Sequence, residues 1–187
     1  MEKVVDKGII CFFDILGYQN IINNNSIYEC AKIIKNVLIG MPKEVKEDVF
    51  KYVSHNETVM MKTFETIIKN NLNIIMVSDS MILLFDIDEN INFDYIIVVA
   101  LAYITRLFSK SFELGFPLRG CVDIGQFYYY ENVFAGDSIV RTYNECNKLD
   151  FSGVVITDKM HECIERVNKG LKKILDERIF KYLSPLK

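Results

Sequence analysis

Two acids stand out because of where they lie. Asp14 sits near the end of the apolar run GIICFFDIL at 8–16, and Asp79 sits in Ser78-Asp79-Ser80, between the apolar runs 73–77 and 81–85. A carboxylate taken out of water needs a cation or hydrogen-bond donors to offset its desolvation. Hard divalent cations take oxygen ligands, and Mg2+ is commonly held by one or two carboxylates, with water and phosphate oxygens completing the shell. Two such acids on neighbouring strands are able to hold a pair of cations that line up an attacking and a leaving oxygen. Taken singly, each has a plainer explanation: Asp14 caps the following turn, and Asp79 is a turn residue of a favoured type.

The elements that must position these acids follow from hydrophobic periodicity. The unbroken apolar run at 8–16, ending at Gly17, predicts a central strand buried on both faces. Ser26 is placed to cap a helix carrying Ile27, Cys30, Ala31, Ile34, Val37 and Leu38 at helical spacing, which Gly40-Met41-Pro42 is expected to interrupt. The stretch 43–71 is amphipathic and helical in pieces, with Val45, Val49, Tyr52 and Val53 on one stripe. The runs flanking Asp79 predict a β-hairpin with the acid at its tip.

Beyond the hairpin, 92–114 predicts one long helix, apolar on all sides between Ile96 and Ile104 and stopped by Gly115. A long strand is expected at 118–130, a helix at 137–149 with Asp137 as its cap, and a short strand at 153–157. A further helix at 158–169 is expected to be capped by Asp158. Hairpins mixed with strand–helix alternation predict an α+β fold, a mixed and mostly antiparallel sheet with helices on one face.

The 187 residues are half hydrophobic, with 13 Phe, 10 Tyr and a formal net charge of -3, enough apolar side chain for one folded domain over 1–187 and incompatible with disorder. No basic cluster offers the positive stripe that phosphate-backbone binding requires, so no nucleic acid is expected as partner. The apolar and aromatic stretch 95–103 falls short of the ~20 residues of a membrane helix, and the N-terminus lacks the pattern of a secretory signal. No membrane association and a cytoplasmic location are expected. Five scattered cysteines form neither a zinc pattern nor a disulfide framework, and Cys11 and Cys121 are expected to be reduced core residues.

Four blocks together resemble the catalytic domain of class III nucleotidyl cyclases. CFFDILGY at 11–18 is similar to their first metal motif, and NIIMVSDSMILLF at 73–85 to their second-metal hairpin, with Ser78 where a Gly is usual. LRGCVDIG at 118–125 resembles their later Arg-containing strand, and FAGDSIVRTYNE at 134–145 the loop and helix after it. The blocks occur in family order. Asp-Ile-Leu-Gly, Ser-Asp-Ser and Leu-Arg-Gly are closest in flavour to the bacterial pyrimidine cyclases of the Pycsar anti-phage system.

The resemblance implies a class III cyclase-like fold with a ferredoxin-like core. It also implies a reaction in which the 3′-oxygen of a nucleoside triphosphate attacks its own α-phosphate and releases pyrophosphate. Two divalent cations, Mg2+ or Mn2+, would be held by Asp14, Asp79 and the backbone carbonyl of Ile15. The family builds its sites between two subunits, so a head-to-tail, two-fold homodimer is implied and a lone monomer would be inactive. The product would act on a separate cyclic-nucleotide effector.

Departures from the family pattern are specific. The positions that usually hold an Asn to orient the ribose and an Arg to stabilise the transition state are Val140 and Asn144 here. Arg141 lies about 100° around the helix from Val140, too far to substitute directly. Arg119 matches a common family Arg and is either a phosphate ligand or the partner of a structural ion pair. The purine-reading Lys is replaced by Ile75, which disfavours ATP and leaves UTP or CTP open, and Tyr18 takes an aromatic slot beside Gly17. The candidate catalytic residues are therefore Asn144, Arg141 and Arg119, the substrate-binding positions Tyr18 and Ile75, and the metal ligands Asp14, Ile15 and Asp79. A catalytically degenerate nucleotide-binding module and a dimeric scaffold are the alternatives.

Overall fold

The computed structural model describes residues 3–55, 59–87, 90–131 and 133–176. Strand β1 (Lys3–Ile15) is the centre of a six-stranded sheet, hydrogen-bonded antiparallel on both edges, to β3 (Ser80–Asp86) and to β4 (Leu118–Tyr130). Strand β2 (Leu72–Val77) extends the sheet beyond β3, and β5 (Val133–Ala135) pairs antiparallel with the far end of β4. Strand β6 (Gly153–Ile156) joins the near end of β4 in parallel.

Because side chains alternate across a strand, β1 feeds two cores. Ile9, Cys11, Phe13 and Ile15 enter the larger one, and Ile10 and Phe12 enter the smaller. The larger core is closed by α2 (Ile27–Ile34), α3 (Met41–His55), α4 (Val59–Asn70), α5 (Phe93–Glu113), α7 (Asp158–Glu165) and α8 (Lys169–Asp176). Short α1 (Tyr18–Asn24) starts at Gly17, and its Tyr18 and Ile21 pack on this same core. The opposite face is covered by α6 (Asp137–Asn147), which lies across β4 and β1 and contributes Ile139 and Cys146. Helices therefore occupy both faces, not one as the alternation of elements suggested. The polar face of α6 is wide enough that its narrow apolar stripe does not reveal which side of the sheet it covers.

Helix α2 begins as expected, with Ser26 and Glu29 forming a reciprocal capping box. Gly40-Met41-Pro42 does not break the chain's helical path. A π turn, Lys35–Gly40, runs directly into α3, and the Met41 N–H donates to the Asn36 carbonyl five residues back. Pro42 falls in the first turn of α3, where a missing N–H costs least, and its carbonyl accepts from the buried Tyr103 hydroxyl at 3.0 Å. Val45 is buried as its stripe requires, while the side chains of Val49, Tyr52 and Val53 lie outside the described residues.

The stretch 158–169 divides into two helices, and the cap of α7 is Thr157, whose Oγ1 accepts from the Met160 N–H at 3.3 Å. Asp137 likewise is the first residue of α6 and not its cap, a position held by Gly136. Helix α5 is long and apolar enough, by length and composition alone, to cross a membrane, which the run 95–103 underestimates. More than half of its most apolar window is buried within the domain, as befits a core helix. The cysteines are free; Cys11 and Cys121 are buried in the two cores, and burial pushes both thiols up.

Close approach of β1 and β4 depends on Gly120. A Cβ there would lie 2.5 Å from Phe13 Cδ1 and 2.8 Å from the Phe12 carbonyl oxygen. Both belong to the central strand and have little room to move. Gly120→Ala is expected to destabilise the domain by roughly 1–3 kcal/mol, the usual cost of overpacking, read as a lower urea midpoint; an unchanged midpoint would mean that β1 and β4 are less tightly apposed.

Candidate active site

The register of β1 brings Asp14 opposite Ser80 on one side and Arg119 on the other, so the three side chains form a row on the α6 face of the sheet. Arg119 donates twice to the same oxygen, from Nε at 3.0 Å and from Nη2 at 2.7 Å to Asp14 Oδ2. Its Nη1 donates to the Leu149 carbonyl at 3.0 Å, and Nη2 also reaches Asn147 Oδ1 at 3.3 Å. The other carboxylate oxygen, Oδ1, takes no bond from Arg119 and accepts from the Ser80 hydroxyl at 3.5 Å, with the Asp79 carboxyl a further neighbour of this carboxylate. The pair is largely enclosed, with 13% of the Asp14 side chain and 21% of the Arg119 side chain exposed.

Asp79 follows Ser78 in the two-residue turn that joins β2 to β3. Ser78 adopts φ 56, the left-handed region in which glycine is the least strained residue. The Ile15 N–H donates to the Asp79 carbonyl at 3.4 Å, which ties the end of β1 to this turn. Asp14 and Asp79 are electrostatic neighbours. Burial raises the Asp14 carboxyl above its ordinary range, Arg119 counteracts part of that, and the nearby Asp79 carboxyl raises it further.

The site therefore holds two neighbouring carboxylates and adjacent backbone carbonyls, oxygen donors only, with a guanidinium as the counter-charge. That donor set fits a hard divalent cation such as Mg2+ or Mn2+ and not a soft one. Among the described residues no group of three or more His, Cys, Asp or Glu gathers to hold a metal. A cation here would draw on Asp14, Asp79 and backbone oxygen, with its remaining positions left to water or substrate.

The other candidates are distributed differently. Arg141 does not face Asp14: its Nε and Nη2 both bond Asp123 Oδ2, at 2.8 and 2.7 Å. Asp123 is fully buried and also accepts from the Thr157 hydroxyl, so α6 is tied to β4 and to the cap of α7 through one carboxylate. Gly125 lets α6 come this close, since a Cβ there would lie 2.9 Å from Ser138 Cβ. Asn144 is exposed on the outer face of α6 beside Val140 and Tyr143, which are 57% and 52% exposed. Tyr143 also meets the Phe12 ring edge-on at 5.3 Å between centroids.

Ile75 shares the sheet face of Asp14 but is buried in the smaller core, where it offers no hydrogen-bonding group. Tyr18 packs on the larger core, across the sheet from Asp14. The sequence pattern missed Asn147, the Leu149 carbonyl, Asp123 and Thr157. Only Asp123 carried a signal, as an acid within the apolar strand 118–130. A cleft of about 530 Å³ opens at the start of α6, lined by Gly125, Gln126, Gly136, Ser138, Arg141 and Lys159 among others, and does not include Asp14 or Asp79.

No family model matches the sequence, and no curated protein matches it. Solved structures match the fold. The adenylyl cyclase CyaB from P. aeruginosa is 11% identical, with 89% of this chain and 84% of that chain covered and a TM-score of 0.65. The monomeric guanylyl cyclase domain of the RhoGC fusion protein from the aquatic fungus Blastocladiella emersonii is 11% identical, with 88% of each chain covered and a TM-score of 0.61. A class III adenylyl cyclase-like ATP-binding protein from Pseudomonas aeruginosa is 14% identical over 89% of this chain and 36% of that chain, with a TM-score of 0.60. The fold is that of class III cyclase catalytic domains.

Stability measurements on two variants, with a third as control, check the site's electrostatics. An acid whose proton affinity is raised by folding contributes stability at low pH that is lost as pH rises through its folded pKa. Asp14→Asn retains the neutral form, so its urea midpoint at pH 7 should equal or exceed that of the wild type; a clear loss would show that the Arg119 pair outweighs burial. Arg141→Ala leaves the Asp123 carboxylate buried without its cation and should cost about 2 kcal/mol, below the full cost of breaking a buried pair because Arg141 is partly exposed. Val140→Ala, beside it but exposed, should change stability by less than about 0.5 kcal/mol.

Proposed function

We propose that the chain is a metal-dependent nucleotidyl cyclase that converts a nucleoside triphosphate, UTP or CTP in preference to ATP or GTP, into its 3′,5′-cyclic nucleotide and pyrophosphate. The observation that carries this reading is the meeting of Asp14 and Asp79 at one end of a sheet of this fold. In the reaction a bond forms between the 3′-oxygen and the α-phosphorus, the bond to the pyrophosphate oxygen breaks, and the 3′-hydroxyl proton is released to solvent. Such transfers depend on positioning and on neutralising developing charge.

In this reading Asp14, Asp79 and the Ile15 carbonyl hold two divalent cations, Mg2+ or Mn2+. When bound, the cations supply charge neutralisation for the triphosphate and Lewis-acid activation of the attacking oxygen. Arg119 provides the positive charge closest to the carboxylates, and Arg141 acts as a structural anchor for α6. Asn144, exposed on α6, is offered to the ribose of a nucleotide bound to a second copy of the chain, in a head-to-tail homodimer. Ile75 has no group to read a purine edge, which favours a pyrimidine. The cyclic product would serve as an alarm signal to a separate effector, as in the anti-phage systems that the motifs resemble.

A second reading, a nucleotide-binding module without turnover, is favoured by Val140, which presents an apolar side chain where a ribose-orienting Asn is usual, and by the absence of an Arg at position 144. One structure of this fold is itself described as an adenylyl cyclase-like ATP-binding protein. Incubation with Mn2+ and each of the four ribonucleoside triphosphates separates the readings. Pyrophosphate and a cyclic monophosphate are expected, chiefly from UTP or CTP, with a loss of about 100-fold or more in Asp14→Asn and Asp79→Asn. Nucleotide binding without product from any of the four would establish the second reading.

A further inference from the structure

Arg119 divides the two oxygens of Asp14 unequally. Both of its bonds to the carboxylate end on Oδ2, at 3.0 and 2.7 Å, while Oδ1 receives neither and lies 3.5 Å from Ser80 Oγ. The guanidinium does not hang from Asp14 alone. Leu149 O at 3.0 Å and Asn147 Oδ1 at 3.3 Å hold its other side, at the C-terminal end of α6 and just beyond it. A planar fork with acceptors on both sides keeps its place better than an ammonium would.

From this geometry we infer that Arg119 gates the second of two cation positions, so that cations load in sequence. The inference rests on Asp14 and Asp79 being cation ligands. Asp79 and the side of Asp14 that Arg119 leaves free would hold a first cation, with Arg119 still on Oδ2 and fixing the carboxylate plane. Arg119 would compete with a second cation for Asp14 and repel it as a neighbouring positive charge, so that loading of the second position would displace Arg119. Displacement also releases Asn147 and the Leu149 carbonyl, which couples cation loading to the end of the helix that carries Asn144. Arg119 is thus a positioning residue whose removal affects the two cations differently.

The test is Mn2+ binding without nucleotide, followed by calorimetry and by electron paramagnetic resonance of free Mn2+, on the full chain and on Arg119→Gln, Arg119→Lys and Asn147→Ala. The wild type should bind one Mn2+ per chain clearly more tightly than a second. In Arg119→Gln the second should tighten by about tenfold or more, since a unit charge a few ångströms away has been removed; the first should change far less. Arg119→Lys keeps the charge without the fork and should fall between them, and Asn147→Ala, an exposed change that spares the fold, should tighten the second site slightly.

A second readout follows the helix end. Mn2+ at the second position should speed amide hydrogen exchange at 147–150 in the wild type and leave it unchanged in Arg119→Gln. Equal tightening of both cations, or weaker binding of both in Arg119→Gln, would overturn the gate while leaving the metal site in place. If Arg119→Gln does not fold, unchanged second-site affinity in both Arg119→Lys and Asn147→Ala overturns it. Absence of Mn2+ binding from every protein would remove the metal reading of Asp14 and Asp79 and the gate with it.

Discussion

The register of β1 between β3 and β4 is the constraint from which the site follows. With both edges of the central strand hydrogen-bonded, a slip of one residue would turn Asp14 into the larger core and bring Phe13 or Ile15 to the α6 face. The alternation of Ile9, Cys11, Phe13 and Ile15 with Ile10 and Phe12 penalises that slip on both sides at once. Asp14 therefore meets Ser80 and Arg119 because the apolar residues before it leave the strand no other register. Gly120 completes the arrangement by letting Phe13 close against β4.

Electrostatics at the two ends of α6 follow different rules. Near its start, Arg141 and Thr157 satisfy a fully buried Asp123, a closed set of bonds whose work is to fix α6 on the sheet. Beyond its other end, Arg119 joins a partly exposed carboxylate to Asn147 and the Leu149 carbonyl, and leaves one oxygen of that carboxylate facing Ser80 and not the guanidinium. A closed network rigidifies, whereas an open one beside a second acid has capacity for a ligand. That contrast separates the two arginines by what surrounds their carboxylates.

Much of the fold could be read from local pattern because local forces decide it. The hairpin carrying Asp79, the capping box at Ser26 and Glu29, the buried α5 and the strand 118–130 all depend on periodicity or on contacts within a few residues. What escaped depends on distant partners. Asp14 and Arg119 are 105 positions apart, and only the strand register reveals that one oxygen of Asp14 takes both bonds. Pro42 signals a break by composition, yet the preceding π turn absorbs it. Thr157 displaces Asp158 as the cap because its hydroxyl both accepts from Met160 and donates to Asp123, a partner on another strand.

The proposed role of Asp14 and Asp79 is to hold divalent cations for a nucleotide. It is tested most directly by a crystal structure of the chain with Mn2+ and a non-hydrolysable pyrimidine triphosphate, with anomalous scattering used to place the manganese. Two manganese peaks between the Asp14 and Asp79 carboxylates are expected, with the triphosphate oxygens against them and Arg119 displaced from Asp14 Oδ2. Manganese bound elsewhere, or a nucleotide bound away from both acids with Arg119 still on Oδ2, would contradict it.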